Sequence, residues 1–123
     1  MTPEISIEFF PPHTAEGVEK LRAVRGRLAA LKPAFFSVTY GAGGSTRERT
    51  LEVVLEIQRE GHAAAPHLSC VGSTRESIRG LLETFRANGI RRIVALRGDL
   101  PSGMADPGEF RYANELVEFI RRE

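Results

Sequence analysis

Residues 5–12 read Ile5-Ser6-Ile7-Glu8-Phe9-Phe10-Pro11-Pro12, a short apolar run that carries a carboxylate and ends in two prolines. The run predicts a strand over Ile5–Phe10. Proline lacks the ladder N–H and its fixed φ turns the chain away, so the strand stops there. A carboxylate held between Ile7 and Phe9 is expected to resist ionisation, because desolvation disfavours its charged form. A strand-end glutamate of that kind suits a general acid. The same residues also fit a solvent-facing Glu8 on a half-exposed strand.

The pattern recurs down the chain. β-branched or aromatic runs stand at Ile5–Phe10, Ala34–Tyr40, Ala63–Val71 and Ile90–Leu96, each followed by a turn-rich break and a helix-period segment. Their spacing of about 30 residues is one βαβ step. Strands are expected near Ile5–Phe10, Phe35–Thr39, Ala64–Ser69 and Arg92–Leu96, parallel and in sequential order. Polar groups collect at the run ends: Glu8, then Thr39 and Tyr40, then His67, then Arg97 and Asp99. In parallel α/β folds, chemistry sits on that side of the sheet.

The helical segments are punctuated. Val18, Leu21, Val24, Leu28 and Leu31 make one apolar stripe, with Lys20, Arg22, Arg25 and Arg27 expected away from it, and Pro33 ends the segment. Ser45 with Glu48, and Ser73 with Glu76, have capping-box spacing. Leu51, Val54, Leu55 and Gln58 continue the second helix, and Gly61 closes it. Ile78, Leu81, Leu82 and Phe85 face the core from the third, which Asn88-Gly89 stops. Asp106-Pro107 with Glu109 is expected to open a fourth, carrying Tyr112, Leu116 and Ile120.

Composition fits a soluble intracellular enzyme domain: 41% hydrophobic, 27% charged and a formal net charge of +1, with no pull toward nucleic acid. The single cysteine, Cys70, has no internal partner and points to a reducing, cytoplasmic setting. On an apolar strand it reads as an inert buried thiol rather than a nucleophile. No apolar run approaches the ~20 residues that span a membrane, and no signal peptide is expected before the first strand. No metal-ligand cluster is expected.

Gly41-Ala42-Gly43-Gly44-Ser45-Thr46 joins a strand to a helix start. Thr46 stands where a dinucleotide fingerprint needs its last glycine, and a P-loop would need a lysine. A tight turn that lets the backbone approach a flat ring is the better reading.

EFFPP at 8–12, SVTYGAGG at 37–44, APHLSC at 65–70 and ALRGDLP at 95–101 together resemble methylenetetrahydrofolate reductases, in that family's order and spacing. The resemblance runs essentially from end to end. It implies an eight-stranded βα barrel with FAD at the carboxyl ends of the strands. NADH or NADPH reduces the flavin, and the flavin passes hydride to methylenetetrahydrofolate, a step of one-carbon metabolism toward methionine. Glu8 matches the family's acid, which helps open the folate's methylene bridge to an electrophilic iminium. Asp99 matches the aspartate near flavin and folate. Thr39, His67, Arg97 and Gly98 match flavin-binding positions, as do Tyr112 and Ala113 near the fourth helix. The glycine-rich loop matches one near the flavin and nicotinamide.

Each residue has a plainer rival. His67 fits a satisfied core histidine, Arg97 a structural partner of Asp99, and Thr39 a good strand former. An adhesion role for Arg97-Gly98-Asp99 sits badly with a reduced chain.

A barrel of eight such units needs about 240 residues, and this sequence has 123. The fold expected is therefore α/β, four consecutive βα units over residues 1–123, the N-terminal half of a (β/α)8 barrel. Such a chain is a fragment, or it self-associates or meets a second chain that supplies the missing half. Its open concave face is expected to be apolar, lined by Ile7, Phe9, Val38, Leu68 and Val94. Two alternatives stay open: a non-catalytic flavin- or folate-binding half barrel, and a different barrel enzyme with strand-end acids.

Overall fold

In the computed structural model, which describes residues 3–40, 47–98 and 108–123, strands and helices alternate along the chain. The elements are β1 (Ser6–Phe9), α1 (Ala15–Leu28), β2 (Phe35–Val38), α2 (Arg47–Arg59), β3 (Ala64–Ser69), α3 (Arg75–Ala87), β4 (Val94–Leu96) and α4 (Ala113–Arg122). A 3-10 turn at Ala29–Leu31 extends α1, and Lys32 in the left-handed region breaks it before Pro33. The strands form one sheet in the order β1-β2-β3-β4, every neighbouring pair parallel. Among the described residues the fold is α/β, with four parallel strands and four helices, as the sequence predicts.

Register sorts the side chains onto two faces, because successive strand residues point to opposite sides. Ile7 pairs with Phe36, and Phe9 with Val38; Val38 lies beside Pro66, and Leu68 beside Ala95. This face meets the helices. Phe9, Phe36, Val38 and Leu68 are buried in one cluster with Val54 and Ile57 of α2 and Ile78 and Phe85 of α3. The Phe9 and Phe36 rings stack, with centroids 5.5 Å apart. The opposite face carries Glu8, Ser37, Ala65, His67, Ser69 and Val94.

That parity corrects the expected apolar concave face. Ile7, Phe9, Val38 and Leu68 belong to the helix-packed side, and of the five only Val94 lies on the helix-free side. A one-residue error in strand phase exchanges the faces completely. The helix-free face is instead small and polar along its centre.

The helices also depart from expectation in places. Arg25, read as solvent-facing, is 2% exposed, while Leu31 in the expected stripe is 60% exposed. The inward stripe runs through partly buried Leu21 and Leu28 and buried Arg25, at i, i+7 and i+4. On α2 the buried positions are Thr50, Val53, Val54 and Ile57; Val54 faces the core as expected, and Leu51 packs against it partly buried. The α3 capping box is formed by Thr74 and Ser77, one residue beyond Ser73 and Glu76. α4 begins at Ala113, later than Asp106-Pro107 implies; Glu115 accepts from the Arg111 and Tyr112 amides and closes its first turn. β4 (Val94–Leu96) is shorter than the predicted Arg92–Leu96, and the Ile90 amide before it donates to Phe85 O at the end of α3. Ser45 and Asp106-Pro107 lie outside the described residues.

Candidate active site

The helix-free face gathers its polar side chains near the carboxyl ends of the strands. Parallel pairing sets Glu8 beside Ser37, and His67 lies one same-face step beyond Ala65, the partner of Ser37. The three side chains converge on one atom. His67 Nε2 is 3.1 Å from Glu8 Oε1 and 3.3 Å from Ser37 Oγ. Ser37 and His67 are buried, whereas the Glu8 side chain is 54% exposed.

The burial expected of Glu8 between Ile7 and Phe9 is therefore absent. Those neighbours point to the other face, and Glu8 stands in the open beside His67. Two influences oppose each other on His67. Burial lowers its proton affinity below the ordinary value of 6.5, and the Glu8 carboxylate raises it. Burial dominates, because water screens the exposed Glu8 charge while the imidazole is largely shut off from solvent. The ring stays neutral at physiological pH. His67 is thus a core histidine with a polar handle on the site.

The remaining residues are held at the strand ends by an extension of the ladder. The Thr39 amide donates to Phe9 O (2.9 Å), and the Thr39 carbonyl accepts from Thr50 Oγ1 of α2 (2.6 Å). Val71 N donates to Arg97 O (2.8 Å), tying the end of β4 to that of β3. Arg97 is exposed and turns its Nε to Gly98 O (3.1 Å). Gly98 has φ +83°, and a Cβ there would lie 2.9 Å from Val71 Cγ1, so this close approach demands glycine. Tyr112 is the exposed N-cap of α4 and Ala113 its first residue.

Glu8, Thr39, His67, Arg97 and Gly98 therefore occupy four neighbouring strand ends. Asp99 and the loop at 41–46 lie outside the described residues. The Cys70 side chain is buried, and burial pushes its thiol up, which suits an inert thiol. Ser37 was missed in the sequence. Its signal is a polar residue in the apolar run Phe35-Phe36-Ser37-Val38, at the register position of Glu8.

Residues 1–123 match the family model for methylenetetrahydrofolate reductase. The chain belongs to that family. Among curated methylenetetrahydrofolate reductases, the 5,10-methylenetetrahydrofolate reductase of Salmonella typhimurium is 48% identical over 118 residues, covering 95% of this chain and 39% of the relative. The Escherichia coli protein of the same name is 46% identical over the same coverage. A methylenetetrahydrofolate reductase (NADH) 1 of Arabidopsis thaliana is 43% identical over 121 residues, 94% of this chain but 20% of the relative. The chain thus spans 39% of the length of these bacterial relatives and 20% of the plant one.

Proposed function

We propose that residues 1–123 form a single partial domain, the N-terminal half of a (β/α)8 barrel that reduces 5,10-methylenetetrahydrofolate to 5-methyltetrahydrofolate. Activity requires the other strands, supplied by a second chain, a second copy or a longer form of this protein. The observation that carries this reading is Glu8 at the carboxyl end of β1, on the helix-free face and 3.1 Å from a buried histidine, in a chain of this family. Sequential parallel strands with helices on one side support the half barrel, since a closed barrel is that arrangement continued.

The cofactors proposed are FAD and either NADH or NADPH; one plant relative is named for NADH. The donor set fits a flavin. Ala65 and Ser69 present small side chains on the same face as His67. Thr39, His67, Arg97 and Gly98 offer polar contacts to a flavin ring, with Asp99 next in the chain and Tyr112 and Ala113 at the start of α4. When bound, the flavin supplies the hydride.

The chain's own part is proton chemistry and charge. A neutral aminal carbon accepts hydride poorly until one bridging nitrogen is protonated, and Glu8 gives that proton. Its side chain, 54% exposed, is accessible to a folate. Asp99 contributes a negative charge that stabilises the cationic folate and makes the bound flavin a stronger donor.

In a flavin-loaded assembly containing this chain, Glu8→Gln should leave flavin reduction by the nicotinamide intact. Folate reduction should fall by at least ~10²-fold, the lower range for a general acid. Equal loss in both half-reactions would make Glu8 structural. Asp99→Asn should raise the flavin midpoint potential, and a lowered or unmoved potential would contradict its electrostatic part. A cytoplasmic location is proposed on the strength of Cys70, the single cysteine.

A further inference from the structure

We propose that His67 and Ser37 are positioning residues for Glu8: the Nε2–H of a neutral His67 pins Glu8 Oε1 and leaves Oε2 to carry the transferable proton. This rests on the reading of Glu8 as proton donor. The geometry is specific to one atom. Both Glu8 Oε1, at 3.1 Å, and Ser37 Oγ, at 3.3 Å, approach His67 Nε2. A Glu8 carboxylate can only accept, which puts the ring proton on Nε2; the Ser37 hydroxyl, able to donate or accept, then takes the acceptor role.

The pinning works in both states of the acid. When Glu8 is protonated, Oε1 is the carbonyl oxygen and still accepts from Nε2–H, so the O–H sits on Oε2. Once the proton has passed from Oε2 to a bridging nitrogen of the folate, the carboxylate accepts the same hydrogen bond more strongly, because the bond is now charge-assisted. The imidazole gains and loses nothing, so the step balances with a single proton moving from Glu8 to substrate.

Burial makes the arrangement stiff. His67 and Ser37 are 6% and 5% exposed, and β2 and β3 are hydrogen-bonded neighbours. The Glu8 side chain, 54% exposed, has no comparable packing. An exposed glutamate has several rotamers of similar energy, and the rigid ring selects one of them. Ser37 gives Nε2–H a second acceptor and so favours this tautomer over the one protonated at Nδ1.

Long-range proton–nitrogen NMR of the 123-residue chain reads the tautomer of His67 without any activity. A neutral ring protonated at Nε2, with a smaller Nε2–H population in Ser37→Ala and its recovery in Ser37→Thr, is expected. A ring protonated at Nδ1, or a His67 signal indifferent to Glu8→Gln and Ser37→Ala alike, overturns the proposal. In the flavin-loaded assembly, Ser37→Ala should lower kcat for folate reduction about 5- to 10-fold with flavin reduction by the nicotinamide unchanged, and Ser37→Thr should restore it. Equal loss in both half-reactions that Ser37→Thr does not restore overturns it too. If wild type binds flavin and shows the expected tautomer yet never reduces the folate, the reductase reading fails while the Glu8–His67 contact stands.

Discussion

Gly98 and His67 show how single positions of this chain are constrained by what surrounds them. At φ +83°, a side chain on Gly98 is strained whatever the space, and a Cβ would also press on Val71 and Ser69. Gly98→Ala should cost about 1–3 kcal/mol, the range for a non-glycine residue held in such backbone, read as a lower urea midpoint. His67 links the site to pH. Its folded proton affinity lies below its ordinary value of 6.5, so below that pH the unfolded chain binds the proton first. Stability is then full above pH 6.5 and falls as pH drops through the window beneath it. Thermal melts from pH 7.5 to 5 should show that decline, and His67→Asn should flatten it. An unchanged slope in the variant would assign the decline to other groups.

Among the helices, α1 and α2 are joined by an ion-pair clasp. Arg25, buried on α1, donates through Nε and Nη2 to both carboxylate oxygens of Glu60 at 2.8 Å, and through Nη2 to Glu56 Oε1 at 2.9 Å. Arg22 adds a 2.7 Å bond from Nε to Glu56. The fork geometry satisfies a guanidinium that would otherwise be costly to bury. Arg25→Ala should destabilise by roughly 2 kcal/mol, less than the 3–5 kcal/mol of a fully buried pair, because Glu56 and Glu60 keep contact with water. Arg25→Met should cost less by preserving volume. Hydrogen bonds from Arg22 hold Glu56, and from Arg25 hold Glu60, below the ordinary carboxylate value of 4.5. Their contribution is present above pH 4.5 and lost as pH falls below it. Chemical denaturation between pH 5 and 3 should therefore be steeper in wild type than in Arg25→Met.

Among the described residues, the sheet has β1 and β4 as its two edges, each paired on one side only. Unpaired strand edges invite another chain, and the helix-free face between them holds the proposed site. The isolated chain should sediment as an associated species and bind FAD weakly. A stable monomer that binds FAD tightly and turns over folate would show that four strands suffice. No helix among the described residues is long and apolar enough to cross a membrane.

Strand and helix existence, the parallel order and the strand-end location of Glu8, Thr39, His67 and Arg97 were all legible in the sequence. These follow from local periodicity, proline and glycine breaks, and the handedness of βα crossovers. The phase of each strand was not legible. Ile7 and Glu8 are adjacent, and only cross-strand register decides which of them faces the helices. The burial of Arg25 escaped for a related reason. An arginine is inexpensive inside only where carboxylates elsewhere in the chain meet it, and Glu56 of α2 and Glu60 just after it lie more than 30 residues away. The convergence of Glu8, Ser37 and His67 on one nitrogen belongs to the tertiary structure as well. It depends on three strands brought side by side, and no spacing along the chain encodes a distance across a sheet.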